Sequence, residues 1–348
     1  MTETPQIPGS DSGTATEYAA VREQGAGVVG MSSRGRISVG GLEAVQFLNG
    51  LITNDMKTLG VDTWMPAVFP NVQGRLIASV RVIRFKDIQT DKNVCPSYLI
   101  DTETATHNLV MTTLQRFTMA GDFRVTDLTS KTAQFSVQGP DAERVVQSVL
   151  GDVTNLDVNG AAKIKWQENE VAALRASHTG ANGFDLITEA TAADALWRAL
   201  VSSGATPVGD ETFEILRIEA GLPRYGIDMD ETNVVTETNL DDAVSYTKGC
   251  YIGQEIIARI KYRGHVAKKL VGLSFGESTN AAPGDSIRSA DDKDIGRITS
   301  ITYSPHLKQT IALGYVKYDY LAPGTNVKVI SGETEVKANV TELPFVRG

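Results

Sequence analysis

The chain has 348 residues, more than one hydrophobic core usually serves, so two or three domains are expected. Its 41% apolar and 22% charged residues suit a globular protein, and 33 basic against 42 acidic side chains leave a net charge of −9. That balance argues against direct binding of nucleic acid or anionic membrane, and two cysteines, Cys95 and Cys250, with four histidines exclude a disulfide framework or a self-contained zinc or iron–sulfur site.

Residues 1–19 are polar and rich in Thr, Ser, Gly and Pro, with neither a basic start nor an apolar stretch. They read as a disordered tail rather than a signal peptide. No apolar run approaches the ~18 residues of a membrane span, and the few cysteines suit the cytoplasm.

The spacing predicts a strand over Ile37–Val39, a Gly40-Gly41 turn and a helix over Leu42–Asn54, with Val45, Leu48 and Ile52 on one face. Strands follow over Ala67–Phe69, Leu76–Phe85 and Tyr98–Ile100, then a helix over Thr102–Met119. The order repeats about a hundred residues on: a strand over Gln134–Val137, the turn Gly139-Pro140-Asp141 and a helix to Leu150. Strands over Val171–Ala176 and Phe184–Ile187 precede helices over Ala192–Val201 and Thr212–Ala220. From residue 267 onward short β-rich runs between Gly, Pro and Asp turns predict a small all-β barrel. The expected class is α+β: a tail, two related and possibly interleaved units over 20–266 with an internal boundary near 130, and the barrel domain over 267–348.

Lys248-Gly249-Cys250-Tyr251-Ile252-Gly253-Gln254-Glu255 stands just ahead of a helix marked by Ile252, Ile256, Ile257 and Ile260. There the helix N-terminus and Lys248 would favour a thiolate at Cys250; equally, a free cysteine can be a small buried hydrophobe. Arg259, Lys261, Arg263, His265, Lys268 and Lys269 follow as a basic cluster, fit for a polyanionic ligand tail, an acidic partner, or simply a solvated face. Around Thr179-Gly180-Ala181-Asn182-Gly183 the chain turns, and Asp185 behind the turn is either an acceptor for a planar N–H edge such as a pterin's or an exposed hairpin acid. His178 reads as a turn histidine. Gly25-Ala26-Gly27-Val28-Val29-Gly30 matches a dinucleotide fingerprint in letters only, since no convincing strand precedes it.

The 248–255 run, with Ala258-Arg259 and Tyr262-Arg263-Gly264 after it, resembles the signature of the YgfZ family of folate-binding proteins. Over roughly residues 20 to 345 the chain is also similar to the wider superfamily of the glycine-cleavage aminomethyltransferase (T-protein). The supporting stretches are Phe47–Asp55, Gly74-Arg75, Val137–Pro140, Gly183-Phe184-Asp185, Leu216–Gly221 and Tyr225-Gly226.

The resemblance implies a three-domain clover-leaf, two related α+β units plus a C-terminal β-barrel, around a tetrahydrofolate pocket. It implies Asp185 on the pterin, with Tyr225, Gln254, Arg259 and Arg263 as further cofactor-binding residues. Cys250 would be the reactive group, supported by Lys248, and no metal is held by the chain alone. Where the aminomethyltransferase carries paired aspartates, this chain has Ala78 and Ser79; Phe213 stands where an arginine helps to bind folate. Loss of a positioned acid or base typically lowers rate by ~10²–10⁴. The expected function is therefore folate-dependent support of iron–sulfur cluster assembly or repair in client enzymes, tRNA-modifying ones included. Partners would be iron–sulfur client or assembly proteins. The alternatives are a folate-dependent one-carbon transferase and a thiol redox or interaction scaffold.

Overall fold

The computed structural model describes residues 13–89, 94–119, 121–154, 156–276 and 279–347. The chain opens with α1 (Thr14–Arg22) and β1 (Ala26–Gly30). Next come β2 (Gly35–Gly40), α2 (Ala44–Leu51), β3 (Thr63–Pro70), β4 (Leu76–Gln89), β5 (Val94–Thr102), α3 (His107–Gln115) and β6 (Arg124–Asp127). A third run holds β7 (Thr132–Gln138), α4 (Ala142–Leu150), β8 (Ala161–Trp166), β9 (Asn169–Arg175), β10 (Gly183–Glu189), α5 (Ala193–Ser202), β11 (Ala205–Pro207) and α6 (Asp210–Glu219). A long irregular stretch leads to α7 (Gln254–Arg263), and then β12 (Lys268–Phe275), β13 (Ser286–Arg288), β14 (Asp294–Ser304), β15 (Gln309–Lys317), β16 (Asn326–Ser331) and β17 (Thr334–Thr341).

The strands form three sheets. A five-stranded antiparallel sheet runs β3-β4-β5-β2-β6, and a six-stranded sheet runs β11-β1-β7-β10-β9-β8. The last six strands close a barrel, β12-β15-β14-β13-β16-β17. The first two units interleave: the chain leaves the six-stranded sheet after β1, builds the other, and returns with β7 antiparallel to β1. Each sheet buries one face under helices. Leu48, Leu51, Val110 and Leu114 cover Ile37, Val39, Val80 and Val82 in one; Val145, Val146, Leu196 and Leu200 cover Val28, Phe135, Val137 and Leu186 in the other. The opposite faces pack on each other through Ile83, Phe85 and Leu99 against Ala172, Leu174 and Ile187. Burial of this kind contributes roughly 25 cal/mol per Å² of apolar surface, so the two sheets behave as one body whose seam can hold fixed polar groups.

The two strand–turn–helix repeats correspond in detail. Gly41 (φ 114°) and Gly139 (φ 127°) both take left-handed backbone between strand and helix, which an L side chain resists. Elsewhere the elements depart from expectation. The tail expected to reach residue 19 includes α1, because Tyr18 and Val21 bury against Val29, Val208 and Leu216; residues 1–12 lie outside the described chain. The glycine-rich Ala26–Gly30 is itself a strand, buried on both sides, whose two glycines dilute the β-branched signal. β6 and β8, too, carry charged residues at sheet edges and so escape an apolar pattern. The helix expected from Leu42 to Asn54 stops at Leu51, where Ile52 turns extended and Thr53 N–H bonds the Val68 carbonyl at 2.9 Å. The one expected over 102–119 shortens to a 3₁₀ turn, Thr104–Thr106, and α3. No helix among the described residues is long and apolar enough to cross a membrane.

Candidate functional site

A cavity of about 340 Å³ opens where the two sheets meet α6. Val29–Met31 of β1 form part of its floor, Arg34 and Glu103 enter from the five-stranded unit, and His178 from the β9–β10 turn. Phe213 and Arg217 of α6, with Arg224 and Tyr225 just beyond, complete the wall. Such a volume lies within the ~300–1,000 Å³ usual for small-molecule sites.

Beneath the cavity runs a buried ladder of ions. Glu103 Oε1 accepts from Arg34 at 2.7 Å, and Arg34 Nε donates to Asp101 Oδ1 at 2.7 Å. Arg81 Nε donates to the other Asp101 oxygen at 2.8 Å, and Arg81 reaches Asp185 at 2.5 Å. His178 Nε2 closes the series, 2.9 and 3.1 Å from the two Asp185 oxygens. Asp101 and Asp185 are fully buried. Burial alone would raise the Asp185 carboxyl, yet His178 and Arg81 outweigh it and hold it well below the ordinary carboxylate range. Arg34 and Arg81 do the same for Asp101.

This placement corrects the expectation for Asp185. The residue is not an exposed hairpin acid, nor does it face the cavity freely. β4 of the neighbouring sheet supplies Arg81, and the turn supplies His178, so its oxygens are already engaged. His178, which reads in sequence as a turn histidine without a partner, is the member of this pair that lines the cavity. The available signal was the hairpin itself: Ala176 N–H bonds the Gly183 carbonyl at 3.0 Å, which folds His178 back over Asp185.

The cysteine run lies elsewhere on the fold and does not line this cavity. Lys248 is buried, and its Nζ donates to the carbonyls of Asn49, Ile52 and Asn54 at 2.7, 2.9 and 2.7 Å. It therefore caps the C-terminal end of α2, where orphan carbonyls favour a cation. Burial pushes its amine down to about 8, still charged at neutral pH. Its protons go to these carbonyls rather than to the Cys250 sulfur, so any support of the thiol by Lys248 is left to its charge acting through space. Cys250 is exposed. The N-cap of α7 is Gly253, so Cys250 sits three residues ahead of it, short of the free N–H groups of the first turn. Gln254 Nε2 donates to the Lys248 carbonyl at 3.4 Å, and Arg259 and Arg263 are exposed on α7; none of the three reaches the cavity, and only Tyr225 of the expected binding residues does. Tyr225 also packs against the apolar cluster of Tyr251, Ile257, Leu76 and Met229, which joins the cysteine run to the cavity wall.

Gly253 explains part of the motif. Its φ of 78° is left-handed, and a Cβ there would stand 2.3 Å from the Asn71 carbonyl oxygen. The turn around Gly74 and the start of α7 thus meet backbone to backbone. Of the two residues that replace the aspartates, Ala78 is fully buried in the core of its own sheet, and Ser79 is half-buried on the face that carries Arg81. Phe213 holds its ring 6.1 Å from that of His178.

With this geometry in hand, residues 6–248 match the GCVT N-terminal domain and residues 268–347 the glycine cleavage T-protein C-terminal barrel domain. The chain belongs to the glycine cleavage T-protein family. It is 31% identical to an aminomethyltransferase of Geobacillus kaustophilus, covering 98% of this chain and 93% of that protein. It is 33% identical to a probable aminomethyltransferase of Natronomonas pharaonis, covering 95% and 90%. The crystal structure of the glycine cleavage system aminomethyltransferase T from Bartonella henselae superposes with a TM-score of 0.86 over 96% of this chain and 90% of that one, at 22% identity. The clover-leaf architecture of two interleaved α+β units and a barrel is therefore that of the T-protein fold.

The Lys248 assignment gives a direct test within this T-protein fold. Lys248→Met should lower stability by about 2 kcal/mol, because three carbonyls lose a charged donor. Urea denaturation would read the loss. An unchanged midpoint would show that water replaces the ammonium without cost.

Proposed function

We propose that this T-protein homologue is a tetrahydrofolate-binding accessory protein of the YgfZ type, which supports iron–sulfur cluster assembly or repair in client enzymes, tRNA-modifying enzymes among them. The observation that carries the reading is the state of the carboxylates at the cavity. Asp185 is sealed by Arg81 and His178, Glu103 is paired with Arg34, and Ala78 and Ser79 stand where the transferase pattern has acids. A site for one-carbon transfer needs a positioned acid or base at the reacting nitrogen. Asp210, at the exposed rim, is the remaining carboxylate of the lining.

The lining suits a reduced pterin with a glutamate tail. Phe213 and Tyr225 offer aromatic walls for the ring system, and Arg224, 40% exposed and 3.2 Å from Glu214, is a cation for a tail carboxylate. Bound tetrahydrofolate would supply a one-carbon carrier at its reduced ring nitrogens. The client-facing reading rests on a different part of the chain, where Cys250 precedes α7 and Ile252, Arg259, Lys261 and Tyr262 are exposed with it. With so few cysteines, a cluster would have to be held by, or shared with, a partner.

A second reading, folate-dependent aminomethyl transfer, is favoured by the names of the relatives. Calorimetry with tetrahydrofolate and a turnover assay with an aminomethylated lipoyl carrier separate the two. The expected result is heat of binding without methylene-tetrahydrofolate. Robust product would establish the transferase, and no heat would remove folate from the account. In cells lacking the endogenous protein, Cys250→Ser should fail to restore iron–sulfur enzyme activity that the unaltered chain restores.

A further inference from the structure

Three guanidiniums stand in the cavity wall, and the fold encloses two of them. Arg34, 12% exposed, pairs with Asp101 and Glu103, and Arg217, 5% exposed, pairs with Glu214 and Asp228. Arg224 keeps 40% of its side chain exposed and meets Glu214 at 3.2 Å. Both ends of Arg224 are held through Asp228, a residue outside the lining. At its root, Arg224 N–H donates to Asp228 Oδ2 at 3.0 Å, and the Arg224 carbonyl accepts from Asp228 N–H at 2.8 Å. At its tip, Glu214 is oriented by Arg217, which donates to the two Glu214 oxygens at 3.0 and 2.5 Å and to Asp228 Oδ2 at 2.7 Å. The other Asp228 oxygen belongs to the barrel, where Thr299 and Ser300 of β14 each donate to it at 2.6 Å. Neighbouring side chains of a regular strand point to opposite faces, so one oxygen could not take both. β14 is irregular at this point: Ile298 stands opposite Gly314 and Ser300 opposite Leu313, which leaves Thr299 as the extra residue of a bulge. Bulges re-aim side chains in this way beside functional sites. Asp228 thus accepts from four donors, the full capacity of a carboxylate, and is 2% exposed, so nothing of it is left for a ligand.

We propose that Asp228, held by the β14 bulge, is the positioning residue that presents Arg224 to an anionic group on the ligand, and that the barrel thereby takes part in recognising the ligand's tail rather than its ring. The inference rests on the folate reading, in which that anion is the glutamate carboxylate, and it names what aims the cation that meets it. A guanidinium carries five donors in a rigid fork, so Arg224 can hold Glu214 and still offer N–H groups to a second carboxylate. Pairing of that kind depends on the plane and direction of the fork as well as on its charge. Loosening Asp228 would therefore leave the charge in place and spoil its aim.

Calorimetry with tetrahydrofolate and with 6-methyltetrahydropterin, which has the reduced ring and no tail, separates positioning from support of the fold. Asp228→Asn should weaken tetrahydrofolate binding by about tenfold and leave 6-methyltetrahydropterin within about twofold. In an Arg224→Ala background, where the cation is already gone, Asp228→Asn should lower tetrahydrofolate affinity by less than about twofold further. Where the ring without its tail binds too weakly to read, this cycle decides. Thr299→Val removes one donor of the bulge and keeps its shape. It should lower affinity for tetrahydrofolate alone, by about threefold, and it carries the test if Asp228→Asn fails to fold. Equal losses for the two ligands, an undiminished loss with Arg224 absent, or full tetrahydrofolate affinity in both variants would overturn the proposal with folate binding intact. No heat from the unaltered protein with tetrahydrofolate would instead remove the folate reading, and the tail assigned to Arg224 with it.

Discussion

Asp101→Ala is expected to destabilise the protein by about 3–5 kcal/mol, the usual loss when one member of a buried ion network is removed and its partners are stranded. Asp101 is fully buried on β5 and accepts from Arg34 at 2.7 Å and from Arg81 at 2.8 Å. Without it, two guanidiniums of the same sheet unit, with side chains 12% and 11% exposed, lose the counter-charge they share. Asp101→Asn keeps the shape and one acceptor oxygen but not the charge, so it should fall between. Urea denaturation of the three proteins tests the order, and a loss below about 1 kcal/mol for the alanine variant would show that water enters the seam and screens the pair.

The same ladder predicts acid lability. Asp101 and Asp185 both titrate lower in the folded chain than in the unfolded one, where an aspartate sits near ~3.9. Between those values the unfolded state binds more protons, so stability rises with pH in that window. Their contribution is therefore complete above about pH 4–5 and is lost progressively as pH falls below ~3.9 toward the folded values. Asp101→Asn should flatten the acid limb of the stability curve. Parallel curves for the two proteins would contradict the assignment.

Glu219→Ala is expected to be comparably damaging, again about 3–5 kcal/mol. Its carboxylate, at the end of α6, is fully buried and accepts from Tyr18 at 2.7 Å, from Arg22 at 2.8 and 3.1 Å, and from Ser304 at 2.5 Å. Its backbone carbonyl accepts from Phe345 and Val346 N–H groups at 2.9 and 3.1 Å. One residue thus clasps α1, α6, the barrel strand β14 and the C-terminal segment. Arg22 also donates to the Thr179 carbonyl at 2.9 Å, so the clasp extends to the turn that carries His178. Glu219→Gln retains the hydroxyl bonds but leaves Arg22 without a counter-charge, and should be intermediate. If the barrel is held mainly by apolar contact through Ile218, Leu270, Leu313 and Tyr315, the alanine variant will unfold at nearly the original urea concentration.

Arg217 repeats the theme on the cavity side. It is buried, pairs with Asp228 at 2.7 Å and Glu214 at 2.5 Å, and donates to Ser300 of β14 at 2.9 Å. Asp228 in turn accepts from Thr299 and Ser300 at 2.6 Å each. The barrel is therefore locked to α6 at two points, and the cavity wall carried by α6 is fixed with it. In sequence, Leu216–Gly221 is a family resemblance and no more; in the fold, Arg217 and Glu219 of that stretch are the two joints.

Periodicity and turn chemistry were enough to predict two related α+β units and a C-terminal barrel, because both are local properties of the chain. The helical spacing of Val45 and Leu48 and the Gly–Pro turn at 139–140 ahead of α4 hold in the fold, whereas Ile52 falls just past the end of α2. Local signal failed where burial or edge position suspended it, as in β1 and in β6 and β8. The 248–255 run was conspicuous as a string of letters, but its parts divide in space: Lys248 caps a helix, Gly253 lets a distant turn approach, and Cys250 is exposed. What the amino-acid order determined by itself was the class of fold and the barrel, the residues Ala78 and Ser79 where the transferase pattern has acids, and the kinship these imply. Which charge neutralises which was decided only by the packing of one sheet on another. Arg81 meets Asp185 across 104 positions of chain, and an ion's protonation, tautomer and availability depend on neighbours within a few ångströms, wherever in the sequence they come from.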